Sequence, residues 1–193
     1  VPSINQRLTL NEEVLHFLNT TFSYAAEKYK LPRDKFILGG FSMGGLLSLR
    51  YTELAYEDSS QTSIVPAAAY SVDGPADLET LYNSERRALE YSPNKAEANY
   101  ALNEFKKNIG GTPDSLRRNY VHYSSFSNTE KDGGNAKYLK NVPVRIYCDV
   151  DVNWWLTNRN TDLYDMNALD QSALINFLHR IGNTKAEFII ALG

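Results

Sequence analysis

Gly39-Gly40-Phe41-Ser42-Met43-Gly44-Gly45 lies between an apolar run, Lys35 to Leu38, and a helical run, Leu46 to Glu57. Strand, tight turn and helix with one serine at the apex is the context in which G-x-S-x-G reads as a nucleophile elbow and not as a chance match. The demand behind the pattern is steric. A serine on so sharp a turn adopts a strained backbone that projects its hydroxyl beyond the sheet edge, and the residues two before and two after it must be small for the helix to fold back. Gly40 and Gly44 are the residues in those places. A phosphate cradle is the competing reading, but neither G-x-x-x-x-G-K-[ST] nor G-x-G-x-x-G is present.

Working outward, Thr9-Leu10-Asn11-Glu12 has the form of a capping box, and Leu10, Val14, Leu18, Phe22, Ala25 and Tyr29 then recur at helical spacing until Pro32. After the serine, Met43, Leu46, Leu47, Tyr51, Leu54 and Ala55 mark one face of the next helix. Ser63 to Val72 reads as a second strand ending at Asp73-Gly74-Pro75, Val142 to Cys148 as a third with Asp149 and Asp151 at its exit, and Ala186 to Leu192 as a fourth. Leu78 to Tyr123 is mostly helical, with Ser92-Pro93 and Thr112-Pro113 as helix starts and Gly110-Gly111 as a stop. Residues 128 to 135 read as a surface loop, and Leu169, Ala173, Leu174, Phe177 and Leu178 pattern a last helix. Strands alternating with helices imply parallel crossovers, and strands apolar on both faces imply helices on both sides of the sheet. The predicted class is therefore α/β, a mostly parallel sheet in a three-layer αβα arrangement. Ser42, Asp73, Asp149 and Asp151 all fall at strand exits on one edge, where such sheets gather functional groups.

The chain has 193 residues, enough for a single domain with a substantial core, and a formal net charge of −3. That balance offers no basic stripe for nucleic acid and no polybasic segment for anionic lipid. No apolar run is long enough to span a bilayer. The single cysteine, Cys148, has no partner for a disulfide and no companions for a cysteine zinc site; nucleophilic serine chemistry needs no metal and no organic cofactor, so none is expected. Cys148 reads as core. Compartment is not legible, since the chain opens at Val1 and whatever precedes it is out of view.

Gly40-Phe41-Ser42-Met43-Gly44, with Lys28-Tyr29-Lys30-Leu31-Pro32-Arg33-Asp34-Lys35 before it and Val142-Pro143-Val144-Arg145-Ile146-Tyr147 after it, resembles the α/β-hydrolase superfamily, in particular its esterase-like members. The resemblance covers nearly the whole chain, as the second half of that fold. It implies a partial α/β-hydrolase domain over residues 1–193, incomplete at both ends, with 78–123 either a lid-like helical excursion or a plain crossover with one extra helix. It also implies Ser42 as nucleophile and the Met43 N–H as one oxyanion-hole donor. The acid belongs at a later strand exit, Asp151 first, with Asp149 and Asp73 as alternatives. An aspartate that merely caps a turn is the ordinary reading of each. Trp154 and Trp155, in a loop beside the acid, either line a substrate pocket or pack.

A serine needs a histidine to take its proton. In the resembled family that histidine follows the last strand, and here none does. His16, His122 and His179 stand in the wrong order along the chain, and His179 suits a helix C-terminus. The expectation is a serine hydrolase of small-molecule carboxylic esters in its full-length form, this chain being inactive alone. A serine peptidase and a noncatalytic binding or assembly module are the competing readings. Severing the sheet before its nucleophile strand would bare an apolar edge, so an edge-strand partner or a homo-oligomer is expected.

Overall fold

The computed structural model describes residues 7–93 and 95–191. Four strands, β1 (Ile37–Phe41), β2 (Ala68–Val72), β3 (Val144–Asp149) and β4 (Ala186–Ala191), pair in that order, and every pairing is parallel. The class is α/β, as the alternation predicts. Around the sheet run α1 (Glu12–Tyr29), α2 (Met43–Glu57), α3 (Leu78–Tyr91), α4 (Ala96–Asn108), α5 (Pro113–Tyr123), α6 (Val152–Arg159) and α7 (Ala168–Arg180).

Two of the strands, β2 and β3, are shorter than their apolar runs, and a proline stands ahead of each. Pro66 and Pro143 have no N–H to donate, so β2 and β3 begin just beyond them. Leu192, which the sequence assigns to the last strand, lies outside the described residues.

Three local expectations change. The cap of α1 is Asn11 and not Thr9: Asn11 Oδ1 accepts the Val14 N–H at 3.0 Å, and Thr9 is buried ahead of the helix. Ser92-Pro93 ends α3 and does not start α4, because the residue before a proline is driven to extended backbone, and Ser92 sits at φ −72°, ψ 140°. Trp154 and Trp155 lie on a helix, α6, not in a loop; Asp151 caps it by accepting the Trp154 N–H at 2.9 Å.

One row of the sheet, Leu38, Ala69, Val144 and Ala186, stands in register across all four strands and is buried. Leu38 packs with Val14 and Leu18 of α1 and Leu47 and Tyr51 of α2, while Val144 and Ala186 pack with Leu174, Ile175 and Leu178 of α7. The described helices thus supply the layer on that face. Among the described residues the alternate row, with Ile37, Tyr70, Arg145, Glu187 and Ile189, is exposed.

Inside the helical layer, Arg50 Nη1 donates to Glu53 Oε2 at 2.7 Å and Ser125 Oγ donates to Oε1 at 2.7 Å, tying α2 to the segment after α5. Burial pushes the Glu53 carboxyl up to about 7 even with Arg50 beside it, and burial pushes Asp170 up to about 7 as well. A carboxyl that holds its proton longer folded than unfolded stabilises the fold below its unfolded pKa, and that contribution is lost as pH rises through the folded value. Asp73, Asp77 and Glu85 shift the same way, and His122, held down by burial, opposes them. The thermal midpoint is therefore expected to fall between pH 5 and pH 8. Glu53→Gln should flatten part of that slope while lowering the midpoint, because Arg50 loses its buried partner. A midpoint that climbs steadily over the same interval contradicts this.

Candidate active site

Ser42 follows β1 directly and caps α2 with φ 51° and ψ −128°, in the half of backbone space that L-residues avoid. Its N–H donates to Val72 O at 2.8 Å, and its carbonyl accepts the Gly45 N–H at 2.8 Å. The strained residue is thus held from both the neighbouring strand and its own helix. Met43 is the first residue of α2, so its N–H has no acceptor within the helix and lies at the positive end of the helix dipole.

The glycine requirement is real but partly displaced from the sequence reading. A Cβ on Gly40 would lie 2.3 Å from the backbone carbon of Gly44, so β1 and α2 can cross only over a glycine there. A Cβ on Gly44 would meet nothing within 4 Å. Also tight are Gly39, whose Cβ would stand 2.1 Å from the Tyr70 ring, Gly45, whose Cβ would stand 2.1 Å from Ser71 Oγ, and Gly74, whose Cβ would stand 2.4 Å from the Ser42 carbonyl oxygen. Gly40→Ala is expected to cost about 1–3 kcal/mol, the range for forcing atoms into a packed site, and Gly44→Ala at most a few tenths. Chemical denaturation of both variants checks this, and equal costs would contradict it.

A cavity of about 1010 Å³ opens on Ser42. Strand exits give it Ser42, Met43 and Asp73, the helices α3 and α4 wall it through Glu85 and Ala98, and α6 contributes Trp155. The 78–123 excursion has its own apolar packing of Leu78, Ala101, Phe105, Ile109 and Tyr120, which reaches down to Leu46 and Met43 of α2. Its root is closed by bonds from three backbone N–H groups: Leu78 N–H to Ser124 Oγ at 2.9 Å, Asn128 N–H to Asp77 Oδ2 at 3.0 Å and Phe126 N–H to Ala76 O at 2.9 Å.

Of the three aspartates at strand exits, Asp73 lines the Ser42 cavity, and Asp149 and Asp151 do not. Asp73 also has left-handed backbone, φ 49°, and burial raises its carboxyl although Cys148 Sγ donates to Oδ1 at 3.4 Å. The same burial, with Asp73 alongside, drives the Cys148 thiol far up, which leaves it protonated in the core. Asp149 Oδ1 accepts the Asp151 N–H at 3.0 Å, and Asp151 uses Oδ1 for its helix cap, so in each the second carboxylate oxygen has no hydrogen bond among the described residues. Trp155 borders the cavity; Trp154 packs edge-on against it, with ring centroids 5.5 Å apart, and is 47% exposed.

None of the three histidines lines the cavity. His16 is exposed on α1, His122 packs edge-on against Tyr123 on α5, and His179 places Nε2 2.7 Å from Ala186 O.

Missing from the sequence reading is the clamp behind the serine. At the start of α7, Asn167 Nδ2 donates to Asp73 O at 2.9 Å, Gln171 Nε2 to Gly74 O at 2.5 Å, and Asp170 Oδ2 accepts the Ala76 and Asp77 N–H groups at 2.8 and 2.6 Å. These residues stand more than ninety positions from the loop they hold, and no local pattern links them.

No protein-family model and no curated protein sequence matches the chain. Solved structures are similar to it. Carboxyl esterase 2 from the mycorrhizal fungus Tuber melanosporum aligns with 94% of this chain and 50% of its own, at 15% identity and TM-score 0.55. Mycobacterium tuberculosis MPT51 aligns with 93% of this chain and 60% of its own, at 13% identity and TM-score 0.51. Pyrococcus horikoshii acylaminoacyl peptidase aligns with 92% of this chain and 22% of its own, at 18% identity and TM-score 0.50. All three have the α/β-hydrolase fold, and this chain has part of that fold. It spans between about a fifth and three fifths of their lengths.

Proposed function

We propose that this chain carries the nucleophile of a serine hydrolase that cleaves carboxylic esters through an acyl-enzyme. The observation that carries the reading is Ser42 at φ 51° on a strand-to-helix turn that opens into a large cavity. Strain of that kind costs about 1–3 kcal/mol and persists where the surrounding structure has a use for it. In the proposed reaction Ser42 Oγ bonds to the ester carbonyl carbon as its proton passes to a histidine, and the Met43 N–H donates to the oxyanion. The alkoxide leaves with that proton. Water then attacks the acyl-serine, and the carboxylic acid is released. None of the described histidines stands beside Ser42, so the base is assigned to residues outside this stretch. The acid that orients it is assigned to Asp151, with Asp149 and Asp73 next, and Trp155 rather than Trp154 is assigned to the substrate pocket.

The open edge of the sheet enters the same reading. β1 pairs only with β2 among the described residues, and Ile37 and Phe41 on it are 66% and 72% exposed. We assign that edge to a further strand or to a second copy of the chain, and expect residues 1–193 alone to be inactive. A serine peptidase differs only in leaving group. The noncatalytic module has one observation in its favour, the lack of a histidine in the cavity wall. Active-site titration of the full-length protein with p-nitrophenyl acetate separates the readings: a burst of about one nitrophenolate per chain is the hydrolase result, and no burst and no turnover is the module result.

A further inference from the structure

The wall of the Ser42 cavity carries a carboxyl that no described residue balances. Glu85, on α3, faces the cavity, and its surroundings are apolar burial and the carboxylates of Glu97 and Asp165, all of which disfavour its charged form. The cations nearby are taken: Arg87 pairs with Asp165, Arg159 lies 3.8 Å from Glu97, and Arg7 lies 3.2 Å from Glu13. Among the described residues no hydrogen-bond donor or cation reaches Glu85, whereas the buried carboxyls Glu53, Asp77 and Asp170 are each held by two or more donors. A half-buried carboxyl without a countercharge has a desolvation cost that no contact offsets. Such groups persist in clefts where a ligand brings the missing charge.

The cavity is also shaped for such a ligand. Its volume of about 1010 Å³ is at the upper end of small-molecule sites, and apolar side chains such as Met43, Leu81 and Ala98 line it together with polar ones such as Ser84, Glu97 and Arg159.

We propose that Glu85 is the specificity residue of the Ser42 cavity and that it holds a primary ammonium or guanidinium group of an otherwise apolar substrate. The proposal rests on the hydrolase reading only in calling the ligand a substrate. It names α3 of the helical excursion as the element that selects the ligand and Glu85 as the side chain that does so. Glu97 on α4, Asp165 ahead of α7, Arg87 on α3 and Arg159 on α6 are the charged groups around it.

The test uses the full-length protein with Ser42→Ala, so that binding is read without turnover. Its probes are n-hexylamine, protonated at pH 8, and n-hexanol, its neutral counterpart, measured by calorimetry. Hexylammonium should bind at least tenfold more tightly than hexanol, Glu85→Gln should bring the two within about twofold, and Glu85→Asp should keep a preference for the amine. Glu85→Gln is also expected to melt no lower than its parent, since it removes an unbalanced carboxyl, so lost preference cannot be put down to unfolding. An ammonium preference that survives Glu85→Gln, or no preference in the parent, overturns the proposal. A Glu85-dependent preference in a protein whose Ser42 proves inert would leave the proposal standing and overturn the hydrolase reading instead.

Discussion

Ser42→Ala in the full-length protein is expected to lower kcat for p-nitrophenyl acetate by roughly 10⁶-fold, the scale of losing the nucleophile of a serine triad. Stability should hardly change. Alanine carries the same Cβ into the same backbone conformation, and the bonds that hold the turn, Ser42 N–H to Val72 O and Gly45 N–H to Ser42 O, are made by the backbone. Ser42→Gly should be equally inactive yet more stable by about 1 kcal/mol, because glycine adopts positive φ without strain. The pair separates chemistry from folding: an inactive protein with a relaxed, tighter fold is what a strained functional serine predicts. Residual activity within tenfold of the parent in either variant would remove Ser42 from the mechanism.

The acid is the second large effect. Asp151→Asn is expected to cost on the order of 10⁴ in kcat, the loss seen when the orienting carboxylate of a serine triad becomes an amide. The substitution is conformationally clean, because asparagine caps a helix about as well as aspartate and its Oδ1 can still accept the Trp154 N–H. Asp149→Asn likewise keeps an acceptor for the Asp151 N–H and should be mild. Asp73 is the informative control. It lines the cavity and burial already raises its carboxyl, so Asp73→Asn should be well folded. If it alone collapses kcat, the acid lies at the β2 exit; if Asp149→Asn does, it lies two residues earlier on the β3 exit.

Much of the architecture was legible because it follows local rules. The alternation of apolar runs with helical periodicity marks the four strands and implies their parallel pairing, and the small residues around Ser42 mark the turn. What escaped has long-range or compensating causes. Asn11 took over the cap of α1 because the helix begins two residues later than the Thr9 pattern suggests, and Asn11, itself a favoured cap residue, accepts the Val14 N–H. Helix α6 carries no apolar stripe to reveal it, none of its residues being fully buried. Gly45 and Gly74 are required by their approach to Ser71 and to the Ser42 carbonyl, contacts that depend on β2 lying beside β1. The clamp from Asn167, Asp170 and Gln171 and the unbalanced Glu85 are visible only once α7 and α3 are placed, since helical periodicity reports which side is buried and not what a polar residue meets there.

The central claim is that Ser42 is an activated nucleophile. Its most direct test is to treat the full-length protein with a fluorophosphonate and locate the adduct by peptide mass spectrometry. A single adduct on Ser42, absent from Ser42→Ala, is the predicted result; an adduct elsewhere, equal labelling of the alanine variant, or no labelling at all would contradict it.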